Sequence, residues 1–168
     1  MQISSEPTEK SAEFLFNPDG LPSELMERPQ WIVWRLEYRD GKGTKVPYDP
    51  KTVRLAACND LLTWASFDVA FKQKFEGSYD GLGFVLCSAD PFVGLDFDNC
   101  RDPETGEVTE EVRSIIRRFE SKYVEASVSG TGVHLIITGK LKGGAKKGDR
   151  EIYGQDRFFT MSGVVINV

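Results

Sequence analysis

The sequence predicts an α+β domain with a mostly antiparallel sheet and flanking helices, and three observations carry that prediction. Short apolar runs of strand composition recur along the chain, several of them separated by turn-forming residues. Only two long segments carry helical periodicity, and they stand at separate places instead of alternating with every strand. The chain has 168 residues, and a domain of that size buries about 68–70% of its unfolded surface, enough for a core without staples.

The elements follow in order. Residues 1–22 are polar, broken by Pro7, Pro18, Gly20 and Pro22, and read as an acidic, flexible arm that Phe14, Leu15 and Phe16 could dock locally. The domain proper is expected over residues 23–168. Residues 31–38, WIVWRLEY, have strand composition, and the Asp40-Gly41-Lys42-Gly43 turn leads into a second short strand over 44–48. Trp64, Phe67, Phe71 and Phe75, with Ala70 alongside, recur at helical steps and predict a helix capped by Thr63 or Asp60. Such a stripe reads as core packing. Residues 81–86 and 92–97 are apolar runs around Ser88-Ala89-Asp90-Pro91 and predict a hairpin. Thr109 is placed to cap a second helix with Glu110 and Glu111 in its first turn; Val112, Ile115, Ile116, Phe119 and Tyr123 form its buried face. Strands are then expected over 124–128, 133–138, 151–153, 157–161 and 163–168, with a basic loop from Lys140 to Arg150. The end at Val168 falls inside an apolar run, which predicts that the natural chain continues.

Composition excludes several classes. Apolar residues make up 40% and charged residues 28%, which argues against disorder. No apolar run approaches the roughly 18 residues needed to span a bilayer. The first residues hold acids and no apolar stretch, so no secretory signal is expected. Cys58, Cys87 and Cys100 form neither an even set nor a C-x-x-C pair, which points away from a disulfide framework or structural zinc and toward a reducing, cytoplasmic setting. The net charge of −5 argues against a broad basic face for duplex DNA. Most of that acidity sits in residues 1–29, where six acids face Lys10 and Arg28.

Three constellations could carry chemistry. In Gly94-Leu95-Asp96-Phe97-Asp98-Asn99, Asp96 and Asp98 project from one strand face while Leu95 and Phe97 enter the core. Two carboxylates so close repel, and a divalent cation relieves them; solvated acids at a strand end are the plainer reading. An EF-hand fails, because its fifth and sixth positions would be Cys100 and Arg101. In Ser129-Gly130-Thr131-Gly132-Val133-His134, the small residues would let backbone N–H groups approach a phosphate that His134, the chain's one histidine, could also contact. A tight turn followed by a half-buried histidine has the same pattern. The third constellation is Glu151 on a strand, then Arg157, Thr160 and Ser162, donors suited to phosphate or sugar. The loop before it gathers Lys140, Lys142, Lys146, Lys147 and Arg150, a solvated loop or a phosphate contact.

Taken together, strand Asp-x-Asp, then Gly-x-Gly-x-His, then a strand acid ahead of Arg and Thr resembles the archaeo-eukaryotic primase superfamily. The likeness is greatest to the primase-polymerase branch in phage, plasmid and mobile-element replication proteins. It extends to Trp31–Arg35, to Lys45, Pro47 and Tyr48, and to Trp64–Phe67, covering roughly residues 28–165. The resemblance implies a primase-polymerase fold with an RRM-like catalytic core, forming the N-terminal part of a longer replication protein. It implies template-dependent nucleotidyl transfer, with Asp96, Asp98 and Glu151 holding one or two Mg²⁺ or Mn²⁺ ions. His134 would contact the phosphates of an incoming dNTP or NTP, with Ser129, Gly130 and Gly132 permitting close approach. Arg157, Thr160, Lys146 and Lys147 would add triphosphate or template contacts. Single-stranded DNA template and primer, and a helicase domain or partner, are the implied partners, with no membrane. Glu151 stands where the family more often has Asp, one methylene shorter. Two alternatives use the same residues differently: a non-catalytic nucleic-acid-binding module attached to a helicase, and a metal-dependent nucleotide-sugar transferase built on Asp-x-Asp.

Overall fold

The computed structural model describes residues 14–120 and 122–168, so most of the expected arm, residues 1–13, lies outside the described residues. The strands are β1 (Trp31–Arg39), β2 (Lys42–Tyr48), β3 (Gly81–Leu86), β4 (Phe92–Phe97), β5 (Lys122–Ala126), β6 (Val133–Thr138), β7 (Gly144–Lys147), β8 (Arg150–Tyr153) and β9 (Arg157–Met161). The α-helices are α1 (Ser23–Met26), α2 (Phe67–Glu76) and α3 (Glu110–Ile116). The class is α+β, but the strands make two antiparallel sheets, ordered β2-β1-β3-β9 and β5-β6-β4-β8-β7.

This division corrects the expected hairpin over residues 81–97, since β3 and β4 belong to different sheets. Asp90 explains the crossing. Its buried carboxylate accepts from the backbone N–H of Cys87 (3.0 Å) and of Phe92 (2.9 Å) and from Gln30 Nε2 (2.7 Å). These charge-assisted bonds hold the turn rigidly, so the chain leaves one sheet and enters the other.

The apolar alternation of each strand sorts the core into layers. Trp31 and Val33 of β1, Leu82, Phe84 and Leu86 of β3 and Phe159 and Met161 of β9 pack with Phe67 and Ala70 of α2, and with Phe92 and Ile136 of the second sheet. The far face of that second sheet, through Phe97, Val124, Val133 and Leu135, packs on Val112 and Ile116 of α3. Trp31 and Trp34 are fully buried, and each indole N–H still finds a carbonyl: Leu25 O at 2.9 Å and Leu82 O at 3.0 Å.

Several boundaries move from their expected places. Helix α2 starts at Phe67, capped by Ser66, whose Oγ accepts from Val69 N; Asp60 instead caps a short 3₁₀ turn, Leu61–Thr63. Trp64 therefore precedes the helix, and Phe75 is mostly exposed. Thr109 precedes α3 without a side-chain capping bond. Because α3 ends at Ile116, Tyr123 is a β5 residue with its hydroxyl on Glu125. The basic loop is largely the β7–β8 hairpin. Residues 163–168 follow β5 through Ala126 N to Val164 O (2.9 Å) and Ile166 N to Val124 O (3.1 Å), with one isolated bridge instead of a strand.

Residues 14–22 lie against the domain. The Phe14 ring meets Trp34 edge-on at 5.0 Å, Leu15 N donates to Val128 O (2.9 Å), and Leu21 is buried. Among the described residues no helix is long and apolar enough to cross a membrane.

Candidate functional site

Strand register builds the site. Glu125 pairs with His134, His134 with Asp96, Asp96 with Glu151, and Glu151 with Lys146. The five residues form one row across all five strands of the second sheet. Residues directly opposite in a sheet share a face, and a one-residue slip would turn any of them away. The row lies on the face opposite α3, because Leu95, Leu135 and Phe97 occupy the other. Asp98 follows two residues after Asp96, just beyond β4, where Asp98 N donates to Asp149 O at 2.8 Å and the next residue, Asn99, takes positive φ (51°) to turn the chain.

The row runs from a buried end at Glu125 and His134 to an exposed end at Lys146. Glu125 is fully buried. Its carboxylate accepts from Tyr123 Oη (2.7 Å), from Ser162 N (3.1 Å to each oxygen) and from Gly163 N (2.8 Å). His134 lies between two acids, with Nδ1 3.0 Å from Glu125 Oε1 and Nε2 3.6 Å from Asp96 Oδ1. It is buried, not half-buried, and its ring meets Phe159 edge-on at 5.3 Å. Burial alone would lower the imidazole pKa, but the Glu125 bond and the Asp96 charge outweigh it and hold it above the ordinary value.

Asp96 shows the opposite balance. Its Oδ1 is buried and has no hydrogen-bond partner. Burial, joined by the charges of Asp98 and Glu151, raises its pKa against the pull of His134 and Lys45. Burial would raise Glu151 too, but hydrogen bonds from Lys146 and Tyr153 hold its carboxyl below the ordinary value. Tyr153 Oη donates to Glu151 Oε2 at 2.8 Å, and Arg157 reaches that hydroxyl (3.3 Å) while stacking on the Tyr153 ring at 4.7 Å. Arg157 thus joins the acidic row through Tyr153.

The other expected site residues are placed differently. Thr160 is buried, and strand alternation turns it to the β9 face opposite Arg157 and Phe159. Lys147 is exposed in β7, one residue out of the row. In the turn between β5 and β6, Gly130 takes positive φ (81°), and a Cβ on Gly132 would stand 2.6 Å from Phe97 O. Three N–H groups of this turn are already bonded: Gly130 N to Ser127 O (2.8 Å), Thr131 N to Ser129 Oγ (3.5 Å) and Gly132 N to Ser127 Oγ (3.0 Å). Both glycines and Ser129 therefore close the hairpin that aims His134, and contact with a phosphate through these N–H groups would require breaking those bonds.

Among the described residues no three His, Cys, Asp or Glu side chains converge closely enough to hold a metal ion as placed. The donor chemistry nevertheless suits a hard divalent cation. Asp96, Asp98 and Glu151 offer carboxylate oxygens from neighbouring positions, and the partnerless Asp96 Oδ1 is an acceptor without a donor.

Three participants were missed by sequence reasoning. Glu125 could have been found as the lone acid inside the apolar run 124–128. Lys45 lies in the stretch that carries the resemblance, with no pattern of its own to mark it; its burial lowers its pKa, within the fields of Asp96 and Asp98. Tyr153 carried no signal, since only the fold sets it between Glu151 and Arg157.

Fold and row together define an α+β domain that presents carboxylates, a histidine and flanking cations on one face of an antiparallel sheet. The chain is 33% identical over 150 residues to the DNA Primase-polymerase of Nitratiruptor phage NrS-1, a match covering 85% of this chain and 20% of that protein. The chain thus spans about one-fifth of the length of that relative. No family model matches.

Proposed function

We propose that this chain is the catalytic domain of a primase-polymerase, carrying out template-dependent nucleotidyl transfer in the replication of a phage, plasmid or other mobile element. The observation that carries the reading is the register that sets Asp96 between His134 and Glu151, with Asp98 two residues on. Mg²⁺ or Mn²⁺ held by Asp96, Asp98 and Glu151 would supply Lewis-acid activation of the primer 3′-hydroxyl and neutralise charge on the triphosphate. The partnerless Asp96 Oδ1 favours this role.

The remaining steps belong to the chain's own groups. His134, fixed against Glu125, directs Nε2 into the space beside Asp96 and contacts the nucleotide phosphates there. Arg157, braced on Tyr153, and Lys146, at the exposed end of the row, bind triphosphate or template oxygens as charge-assisted donors. Lys45 adds positive charge within the fields of Asp96 and Asp98. Single-stranded template, primer and dNTP or NTP are the substrates, and a helicase domain or partner supplies the unwound strand.

The test is incorporation of labelled nucleotides on a primed single-stranded template with Mg²⁺ or Mn²⁺. Replacing Asp96 and Asp98 together by alanine should abolish incorporation. Unchanged incorporation would refute the assigned site. A wild-type chain that binds primed template but incorporates nothing would identify a nucleic-acid-binding module instead.

A further inference from the structure

We propose that Glu125 is the positioning residue of His134: it holds a proton on Nδ1 and so fixes the direction in which Nε2 is presented. The role of Nε2 toward a nucleotide rests on the primase-polymerase reading, whereas the positioning rests on geometry alone.

A carboxylate with no solvent exposure must be matched by donors, because an unpaired charge in the interior is strongly unfavourable. Glu125 is matched fully. Ser162 N and Gly163 N are backbone groups that can only donate, and between them they reach both carboxylate oxygens, at 2.8–3.1 Å. Tyr123 Oη adds a third donor on Oε2 at 2.7 Å. With obligate N–H donors on both oxygens, Glu125 takes the accepting role in its contacts. The group 3.0 Å from Oε1 is His134 Nδ1, so Nδ1 is the donor and carries the proton. That holds for the neutral ring and for the imidazolium alike.

The consequence falls on the other nitrogen. With Nδ1 tied to Glu125 and the ring edge on Phe159, Nε2 faces Asp96 Oδ1 at 3.6 Å. That separation exceeds a hydrogen bond and leaves Nε2 directed at the acids without being consumed by them. The brace spans both sheets: Glu125 lies in β5, while Ser162 and Gly163 follow β9 of the other sheet. A histidine held by a carboxylate in this way has its tautomer and ring orientation set by the second partner.

Because His134 is the only histidine, ¹⁵N-histidine labelling of the chain reports one imidazole without overlap. The wild-type protein, without nucleotide or metal, should show a protonated-type Nδ1 resonance at neutral pH. An imine-type Nδ1 would overturn the proposal with no variant needed. Glu125→Gln keeps the shape and removes the charge, and the Nδ1 resonance should move toward a tautomer average. A folded Gln variant with an unchanged Nδ1 resonance would also overturn it. If the resonance moves, KM for dATP should rise about tenfold or more, the scale of losing a carboxylate that orients a histidine, with kcat less affected. A moved resonance with unchanged KM and kcat supports the positioning and counts instead against His134 acting on the nucleotide.

Discussion

Replacing Asp96 by asparagine should stabilise the protein in chelator while abolishing nucleotide incorporation. Asp96 Oδ1 is buried without a partner, and the nearby carboxylates of Asp98 and Glu151 add repulsion. His134 and Lys45 offset part of this, but the net effect raises the Asp96 pKa, so the folded state disfavours the charge. Asparagine keeps a polar atom at that place but removes the buried charge and its repulsion with Asp98 and Glu151, and loses the His134 attraction with them. The net gain should be that of a favourable single substitution, about 1 kcal/mol, or about 2–4 °C in Tm for a domain of this size. The sign with pH follows from linkage. A carboxyl whose folded pKa is raised destabilises fully above that value, and the penalty is gone below its unfolded value of 3.8. The advantage of Asp96→Asn should therefore be full at pH 7 and shrink as pH falls toward 4. Urea unfolding in EDTA at both pH values measures it. Adding Mn²⁺ at 100 times its Kd should stabilise wild type by about 2.7 kcal/mol and the variant much less, reversing their order. A variant less stable than wild type at pH 7 in EDTA, or an advantage that does not shrink in acid, would refute the reasoning.

Two further outcomes test other parts of the structure. A chain beginning at Ser23 loses the buried Leu21 and the Phe14–Trp34 contact, and should be less stable by about 2 kcal/mol or more, since burying one such side chain is worth about 1.5–3 kcal/mol. Equilibrium denaturation checks this, and a loss below about 0.5 kcal/mol, the range of ordinary surface changes, would remove residues 14–22 from the core. Gly132→Ala would set a Cβ 2.6 Å from the Phe97 carbonyl, a backbone atom that cannot swing aside, and should cost about 1–3 kcal/mol of stability. A raised nucleotide KM at unchanged stability would instead support a phosphate-contacting role for Gly132.

The legible parts of the fold were those written in local patterns. Alternation in residues 31–38 and 92–97 gave strand faces, so Leu95 and Phe97 were rightly assigned to the core, and Asp96 to the opposite face. What failed depended on partners far along the chain. The break between β3 and β4 is made by Gln30, which meets Asp90 from 60 residues away. Helix α2 begins later than its aromatic stripe because Ser66 supplies a better-placed oxygen than Thr63 or Asp60. At the site, Asp96, His134 and Glu151 were each identified singly, but their adjacency comes from strand order and register, which no single segment encodes. Glu125 was missed because its partners, Ser162 and Gly163, lie 37 and 38 residues away.

The row also explains how an acidic chain can carry the proposed site for anionic substrates. Like charges directly opposite in a sheet destabilise it, yet Asp96 faces Glu151 across β4 and β8, with Asp98 beside them. The sheet relieves this stress at both flanks. Lys146 and Tyr153 satisfy Glu151 on the solvent side, and His134, backed by Glu125, supplies the buried side. Neither flank makes a hydrogen bond to Asp96 Oδ1, although His134 Nε2 stands 3.6 Å from it. Among the three acids, Asp96 thus carries a buried oxygen that no hydrogen bond satisfies. A cation at that point would relieve Asp96, Asp98 and Glu151 together, and a phosphate drawn to the cation would meet His134 and, through Tyr153, Arg157. A near-neutral domain needs no broad basic surface if its affinity is gathered there. Its binding to DNA alone should accordingly be weak and salt-sensitive, carried mainly by the exposed lysines of β7.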